Sequence, residues 1–330
     1  MKFLRALGIA VLTFTIVFTA MVGKRKITEG YSFSENQNYK GILTVWQVDS
    51  FEGGVGSRKQ FLLKVARAFE KKNAGVLVMV IDRTAESVKE SLEKGEYPDM
   101  ISYGCGVEIY GFTELENKGV NKGGYIGEKV YATPWCRGGY TLIANPKFAT
   151  EIPDRIDNLL VSCGEYNSPL TSLVLEGISV GQITIKTPMN AYVQFVSNNT
   201  PYFLGTQRDI NRLERRGFEY VSKPLKEYSD LYQYISVTST DNLKSYYSKK
   251  FVDFLTDKQT QQSLSEIGMF SVNYLVEYQN EQLQSMQNTS INHTVSAFIH
   301  KSELLELSKN SLLYLQGEKS AEIKIKNMLV

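Results

Sequence analysis

An α/β fold on parallel strands is what this sequence predicts, and three observations carry the expectation. Ile42–Val48 is a largely apolar run rich in β-branched residues, suited to a strand buried on both faces. A glycine-rich loop, a helix and a second strand follow it, and the alternation then repeats, which predicts right-handed crossovers and a parallel sheet. The 330 residues, 42% of them hydrophobic, suffice for two compact domains with a core each. In open sheets of this kind ligands sit beyond the carboxyl ends of the strands, here Gln47–Gly54 and Tyr103–Val107.

Each element has its own signal. Phe51-Glu-Gly-Gly-Val-Gly-Ser57 is the loop, and Ser57 is the N-cap of a helix to about Lys72 that buries Phe61, Leu62, Val65, Ala68 and Phe69. Val76–Ile81 is a strand, Ala85–Lys94 a helix ended by Gly95, and Pro98–Tyr103 a third strand. Lys118–Lys129, rich in Gly and Lys, reads as a surface hairpin. Thr141–Asn145 is a strand closed by Asn-Pro, and Pro153–Leu160 reads as a helix. Leu175–Phe195 is ambiguous. Tyr202–Asp209 turns from an apolar run into a polar loop, with a charged helix to Arg216. Tyr234–Val237 is a strand, Asp241–Leu255 an amphipathic helix, and Gln259–Ile267 a helix ended by Gly268. The tail after Tyr274 holds further helices, notably Ser302–Gln316, and its last residues, Glu322–Val330, either pack with it or form a free, strand-like end.

Before this body, Leu7–Val22 is apolar, with Lys2 and Arg5 ahead of it and Lys24-Arg25-Lys26 behind. That pattern fits a secretory signal or a short membrane anchor over residues 1–26, followed by a linker over 27–39. Cleavage sites after Ala20 or Gly23 are poor, because Phe18 and Met21 are large, and no nearby cysteine offers lipid attachment. The 37 basic and 35 acidic residues nearly balance, so no nucleic-acid partner is implied. Cys105, Cys136 and Cys163 make neither a disulfide framework nor a CxxC metal or redox motif, and His293 and His300 stand far from any acidic cluster. No metal or other cofactor is expected. Gly53-Gly-Val-Gly-Ser-Arg-Lys59 lacks the Gly-Lys-Ser/Thr ending of a phosphate-binding loop. Asp49 and Glu52 could form a glycosidase pair, but no hydrolase motif accompanies them, so enzymatic activity is not expected.

Several segments together resemble a known family. Leu43–Gly54, Pro134-Trp-Cys-Arg-Gly-Gly-Tyr-Thr-Leu-Ile-Ala-Asn145, Gly205-Thr-Gln-Arg-Asp209, Lys249–Leu255 and Ile267-Gly-Met-Phe-Ser271 look like the extracellular solute-binding proteins of ABC importers, sugar-type branch. The resemblance spans roughly residues 40 to 275, in the family's order. It implies a two-lobed, class II periplasmic-binding-protein-like α/β fold with ligand between the lobes. Residues 40–143 with 233–270 would form one lobe, and 144–232 with 271–330 the other. The hinge would be crossed near Tyr140–Asn145, Tyr232–Thr238 and Gly268–Asn273. Closure would be a hinge motion biased by ligand contacts.

A sugar cleft needs planar polar groups for hydroxyls and aromatic faces for the ring. The candidates for ligand binding are Trp46, Asp49, Glu52, Gly53, Tyr103, Trp135, Arg137, Gly138, Thr206, Gln207 and Arg208. Each has a plainer reading: Trp46 as core, Asp49 and Glu52 as caps of the next helix, Arg208 paired with Asp209 or Glu214. Gly104-Cys-Gly106 departs from the family, which places an aromatic or an acid there. The resemblance implies an extracytoplasmic receptor that carries a small polar solute, a sugar or oligosaccharide, to an ABC permease. Two other roles remain open: a sensor passing cleft occupancy to a membrane signalling partner, and an envelope scaffold that binds nothing.

Overall fold

The computed structural model describes residues 39–117, 123–197 and 200–330. The expected signal or anchor at 1–26 lies outside the described residues, as does the linker up to residue 38 and the first part of the 118–129 hairpin. Among the described residues no helix is long and apolar enough to cross a membrane.

Strand β1 (Gly41–Gln47) leads through the glycine loop to α1 (Arg58–Lys72). The Ser57 side chain caps α1 by accepting from the Gln60 amide, and Phe61, Leu62, Val65, Ala66 and Phe69 form the buried stripe. Strand β2 (Val76–Asp82), α2 (Ala85–Glu93) and β3 (Met100–Gly104) repeat the unit, with a reciprocal Thr84–Ser87 cap opening α2. The pair β4 (Tyr125–Ile126) and β5 (Lys129–Val130) precedes β6 (Thr133–Arg137). Next come β7 (Tyr140–Ala144), β8 (Arg155–Ser162), α3 (Pro169–Glu176), β9 (Ser179–Lys186) and α4 (Pro188–Val196). Strand β10 (Tyr202–Thr206), α5 (Gln207–Arg216), β11 (Val221–Pro224) and β12 (Tyr232–Val237) follow. The remainder is helical: α6 (Asn242–Leu255), α7 (Lys258–Gln262), a 3-10 turn (Ser263–Ile267), α8 (Glu281–Asn288), α9 (Lys301–Leu315) and α10 (Ala321–Asn327).

Two five-stranded sheets result, ordered β2-β1-β3-β12-β6 and β11-β7-β10-β8-β9. The first holds the predicted parallel core of β1, β2 and β3, and the second holds parallel β10, β8 and β9. In each sheet one strand runs against the others, β12 in the first and β7 in the second. Those two are the strands that arrive from the opposite sheet, so they enter from the hinge and run the other way. The first crossing is the Gly138-Gly139 step between β6 and β7, earlier than Tyr140–Asn145, because Tyr140 already pairs with Thr206 in the second sheet. Late in sequence, α6 packs on α1 through Phe251, whose ring meets Phe69 edge-on at 5.3 Å.

One element differs from expectation, and two open readings are resolved. Pro153–Leu160 is not a helix; Arg155–Ser162 is a strand held between β10 and β9, with Ile156, Leu159, Leu160 and Val161 buried. A short apolar run does not distinguish helix from buried strand by periodicity, and two parallel neighbours settle the matter here. The ambiguous stretch divides into β9 and α4, with Pro188 at the first turn of the helix, where its missing N–H costs nothing. The terminal segment is helical through Asn327, with Ala321 and Ile325 buried, and Val330 exchanges backbone hydrogen bonds with Thr294 at 2.9 and 3.3 Å.

Candidate functional site

Between the sheets lies a trough in two adjoining parts, of about 250 and 580 Å³, that meet at Asp49. The first part is walled by Asp49–Glu52 of the β1–α1 loop and by Ser162, Gly164, Asn167, Pro188 and Thr206 from the second sheet's side, with Leu231 at its base. The second is walled by Gln47, by the β2–α2 loop (Asp82 to Glu86) and, opposite, by Glu165 and Tyr166. Most of these groups stand at carboxyl ends of parallel strands, where the chain turns and its polar atoms face outward.

Few of the carboxylates are idle. Asp49 accepts from Arg58 Nε and Gln47 Nε2, both at 2.8 Å. Glu52 receives Arg212 through both guanidinium nitrogens at 3.1 Å and lies 3.4 Å from Arg208 Nε, while Arg208 Nη1 donates to the Gly54 carbonyl at 2.6 Å. The two arginines of α5 thus clamp the β1–α1 loop from across the cleft. Farther out, the Tyr166 hydroxyl donates to Glu86 at 3.3 Å. The Glu86 carboxyl is held below its usual range by a backbone N–H at the start of α2 and then by Thr84. Asp209, beneath the clamp, accepts from the Thr206 amide and pairs with Arg212, yet burial pushes its pKa up to about 6. Both aromatic rings that line the trough carry a cation, Arg58 4.2 Å over Phe51 and Lys301 4.4 Å over Tyr166, and Arg83 lies 4.4 Å over the nearby Trp46.

Of the residues singled out by sequence, Asp49, Glu52 and Thr206 line the trough together, Gly53 adjoins them half-buried, and Arg208 reaches over them to Glu52. Arg208 pairs with neither Asp209 nor Glu214; its partner is on the opposite side of the cleft. The others stand elsewhere. Trp135 is fully buried, stacked on Phe61 at 5.7 Å with its indole N–H on Ser102. Tyr103 is fully buried, its hydroxyl 3.1 Å from that of Ser236. Trp46 lines neither part and is closed over by Arg83. Trp46 is on β1, flanked by β2 and β3, and Trp135 on the edge strand β6, and on each the side chain turns toward a covering group, Arg83 and Phe61 respectively. Gln207 is wholly buried at the hinge, accepting from the Gly139 amide at 3.0 Å, and a Cβ at Gly138 would meet its amide at 2.8 Å. Arg137 is buried at the end of β6, donating to carbonyls at the end of α8.

The small residues of Gly104-Cys-Gly106 also have a packing cause. A Cβ at Gly104 would fall 1.8 Å from the Ser50 hydroxyl, and Gly106, with φ +80°, faces Tyr166 and Leu304. Sequence reasoning did not single out Arg83, Glu86, Tyr166 or Asn167. The strand-end rule would have reached Arg83 and Glu86 had the β2–α2 loop been included. Tyr166 and Asn167 were out of reach, because they follow β8, which reads as a helix in isolation. Among the described residues no group of three His, Cys, Asp or Glu side chains is placed to hold a metal ion.

No known family model matches the chain, and no curated protein matches it in sequence. Solved structures do match in fold. The GacH receptor of Streptomyces glaucescens GLA.O, solved unliganded and with acarbose, is 15% identical over 88% of this chain and 97% of that one, with a TM-score of 0.57. The cyclic α-maltosyl-1,6-maltose binding protein of Arthrobacter globiformis is 11% identical over 87% and 97%, with a TM-score of 0.60. Iron-bound HitA of Pseudomonas aeruginosa is 14% identical over 82% and 99%, with a TM-score of 0.54. The same scaffold therefore serves saccharides and a metal ion, and the cargo is decided by side chains rather than by the backbone. The chain has the two-lobed α/β fold of the class II periplasmic binding proteins.

Proposed function

We propose that this chain is an extracytoplasmic solute-binding protein that captures a sugar or oligosaccharide between its lobes and delivers it to an ABC permease. The observation that carries this reading is the trough at the strand ends, walled from both sides by carboxylates, an amide and hydroxyls. Such groups, in a concave site, suit a polyhydroxylated solute. Asp49, Glu52, Gly53, Thr206 and Arg208 are the proposed ligand contacts, joined by Glu86, Tyr166 and Asn167. With cations already on one face of Phe51 and Tyr166, hydroxyl recognition outweighs ring stacking in this cleft. The proposed lobes follow sheet membership: residues 41–137 with 232–270, and 140–231 with 271–330. Binding makes no covalent bond, and closure brings the α5 side onto the β1–α1 loop. The apolar segment before residue 27 is proposed to attach the protein to the membrane or to direct its export.

A thermal-shift screen of the purified protein tests this, with mono- and oligosaccharides against amino acids, polyamines and metal ions. A ligand of the native state raises the melting temperature by mass action. The expected result is a saturable shift from one saccharide class, lost in Asp49→Asn and Thr206→Ala. Silence from every saccharide in a folded sample, or a shift only from a non-sugar, refutes the cargo assignment.

A further inference from the structure

We propose a second ligand site at the hinge, a pocket for a small oxyanion (a carboxylate or a phosphate) built on Arg137 and Tyr232. The pocket holds about 370 Å³ and is bounded by the end of β6, the start of β12, the crossing segment Ser271–Leu275 and the chain leaving α8. It shares no lining residue with either part of the interlobe trough. Its occupant is therefore separate from the cleft's solute, and the proposal holds whatever that solute is.

Arg137 and Tyr232 are register partners on antiparallel strands, which puts their side chains side by side on one face. Both are withdrawn from solvent, at 5% and 2% exposure. Among the described residues no carboxylate stands within ion-pair distance of Arg137, and no carboxylate lines the pocket. Its Nη2 donates to the carbonyls of Met286, Gln287 and Thr289 at 3.3, 2.8 and 3.0 Å. Its Nη1 reaches only the Gly138 carbonyl, at a long 3.4 Å. Carbonyl dipoles solvate the cation without neutralising it, so a net positive charge stays buried beside a cavity. Burying an unneutralised charge is costly, and an anion in the pocket would offset that cost.

The Tyr232 hydroxyl supplies the second, independent pointer. It has no hydrogen-bond partner among the described residues, although the residue lines the pocket and is almost fully buried. The ring is withdrawn from solvent while its hydroxyl is not sealed off, so the O–H is open to the pocket and free for a ligand or water. Asn273 stands on the same wall with its Oδ1 buried and unpaired, and its amide, turned end for end, offers a further N–H pair. With Nη2 taken up by carbonyls, the weakly engaged Nη1 side of the guanidinium beside a phenol and an amide is a donor set that a carboxylate or phosphate oxygen can take.

The test is calorimetric titration of the purified full chain with sodium phosphate and, separately, with succinate, at ionic strength fixed with sodium chloride. Saturable binding of at least one is expected, and which one binds separates the two sources of the oxyanion. Tyr232→Phe keeps the buried ring and removes only the hydroxyl, so affinity should fall about tenfold, the loss of one hydrogen bond to a charged group. Arg137→Gln should abolish binding, but it also uncaps α8, so the phenylalanine variant decides. Hydrogen exchange with bound anion should show protection at Ser271–Leu275 and Thr289–Ile291. No saturable anion binding by folded protein, equal affinity in Tyr232→Phe, or protection at Asp49–Glu52 instead would each overturn the proposal.

Discussion

The hinge can be interrogated through a single side chain. Gln207 opens α5 on the second-sheet side, accepts from the Gly139 amide of the first crossing at 3.0 Å, and donates to the Met269 sulfur of the third at 3.5 Å. Its amide lies where a side chain at 138 would be, with a Cβ there 2.8 Å from Oε1 and 2.9 Å from Nε2. Gln207→Ala leaves a buried backbone N–H without a partner, which costs about 1–3 kcal/mol, and removes buried methylene packing of about 1 kcal/mol. The expected destabilisation is about 2–4 kcal/mol, or roughly 5–10 °C in melting temperature. Gly138→Ala alone overpacks the same spot and costs about 1–3 kcal/mol. In the double variant the new methyl occupies space the glutamine vacated, so the two costs should fall short of their sum by about 1–2 kcal/mol. Urea denaturation of the four proteins gives the coupling. Costs that add to within about 0.5 kcal/mol would show that the two residues do not meet, and the account of the hinge would fail.

Other outcomes follow from the same geometry. Trp135→Phe should lose about 2–3 kcal/mol of stability, through the indole's bond to Ser102 and its buried area, while solute affinity at a temperature where it is folded stays unchanged; reduced affinity would return Trp135 to the cleft. Glu52→Gln weakens the clamp, whose partners are 15 to 32% exposed, so after solvent screening the loss is about 1 kcal/mol; small-angle scattering of the unliganded protein should show a larger radius of gyration. Gly54→Ala places a Cβ 2.2 Å from the carbonyl oxygens of Ile267 and Gly268, so loop or crossing must shift, read as faster hydrogen exchange at both. The Asp209 carboxyl, raised by burial from 3.8 to about 6, binds its proton more tightly folded than unfolded. Its stabilising contribution is therefore complete below about pH 4 and is lost as pH rises through about 6, on the order of 3 kcal/mol in all. Asp209→Asn should lack that decline, so the difference between the two proteins' urea midpoints should change between pH 4 and 7; parallel curves over that range would contradict it.

Features of this protein whose cause is local were legible in the order of its residues. The β1 run, the Ser57 cap with its buried stripe, the glycine loop and the Asn145-Pro146 stop are set by neighbours in the chain, and the order of motifs carried the two-lobed fold. Asp49, Glu52 and Thr206 were legible because they follow strand ends or open a helix, where polar groups are left facing outward. What depends on partners far along the chain was settled by packing. Arg155–Ser162 is a strand because β9 and β10 flank it, and Trp135 is core because Phe61 lies against it. Arg208 meets Glu52 rather than an acid of its own helix, and Gly104 is small because Ser50 fills its space. A side chain's direction is fixed by the surface it packs against, and here those surfaces come from segments far apart in the chain, as Arg212 and Glu52 are at 160 residues. Hence residue type could nominate aromatic and charged candidates for a cleft, while packing assigned the tryptophans to the core and Arg137 to the hinge.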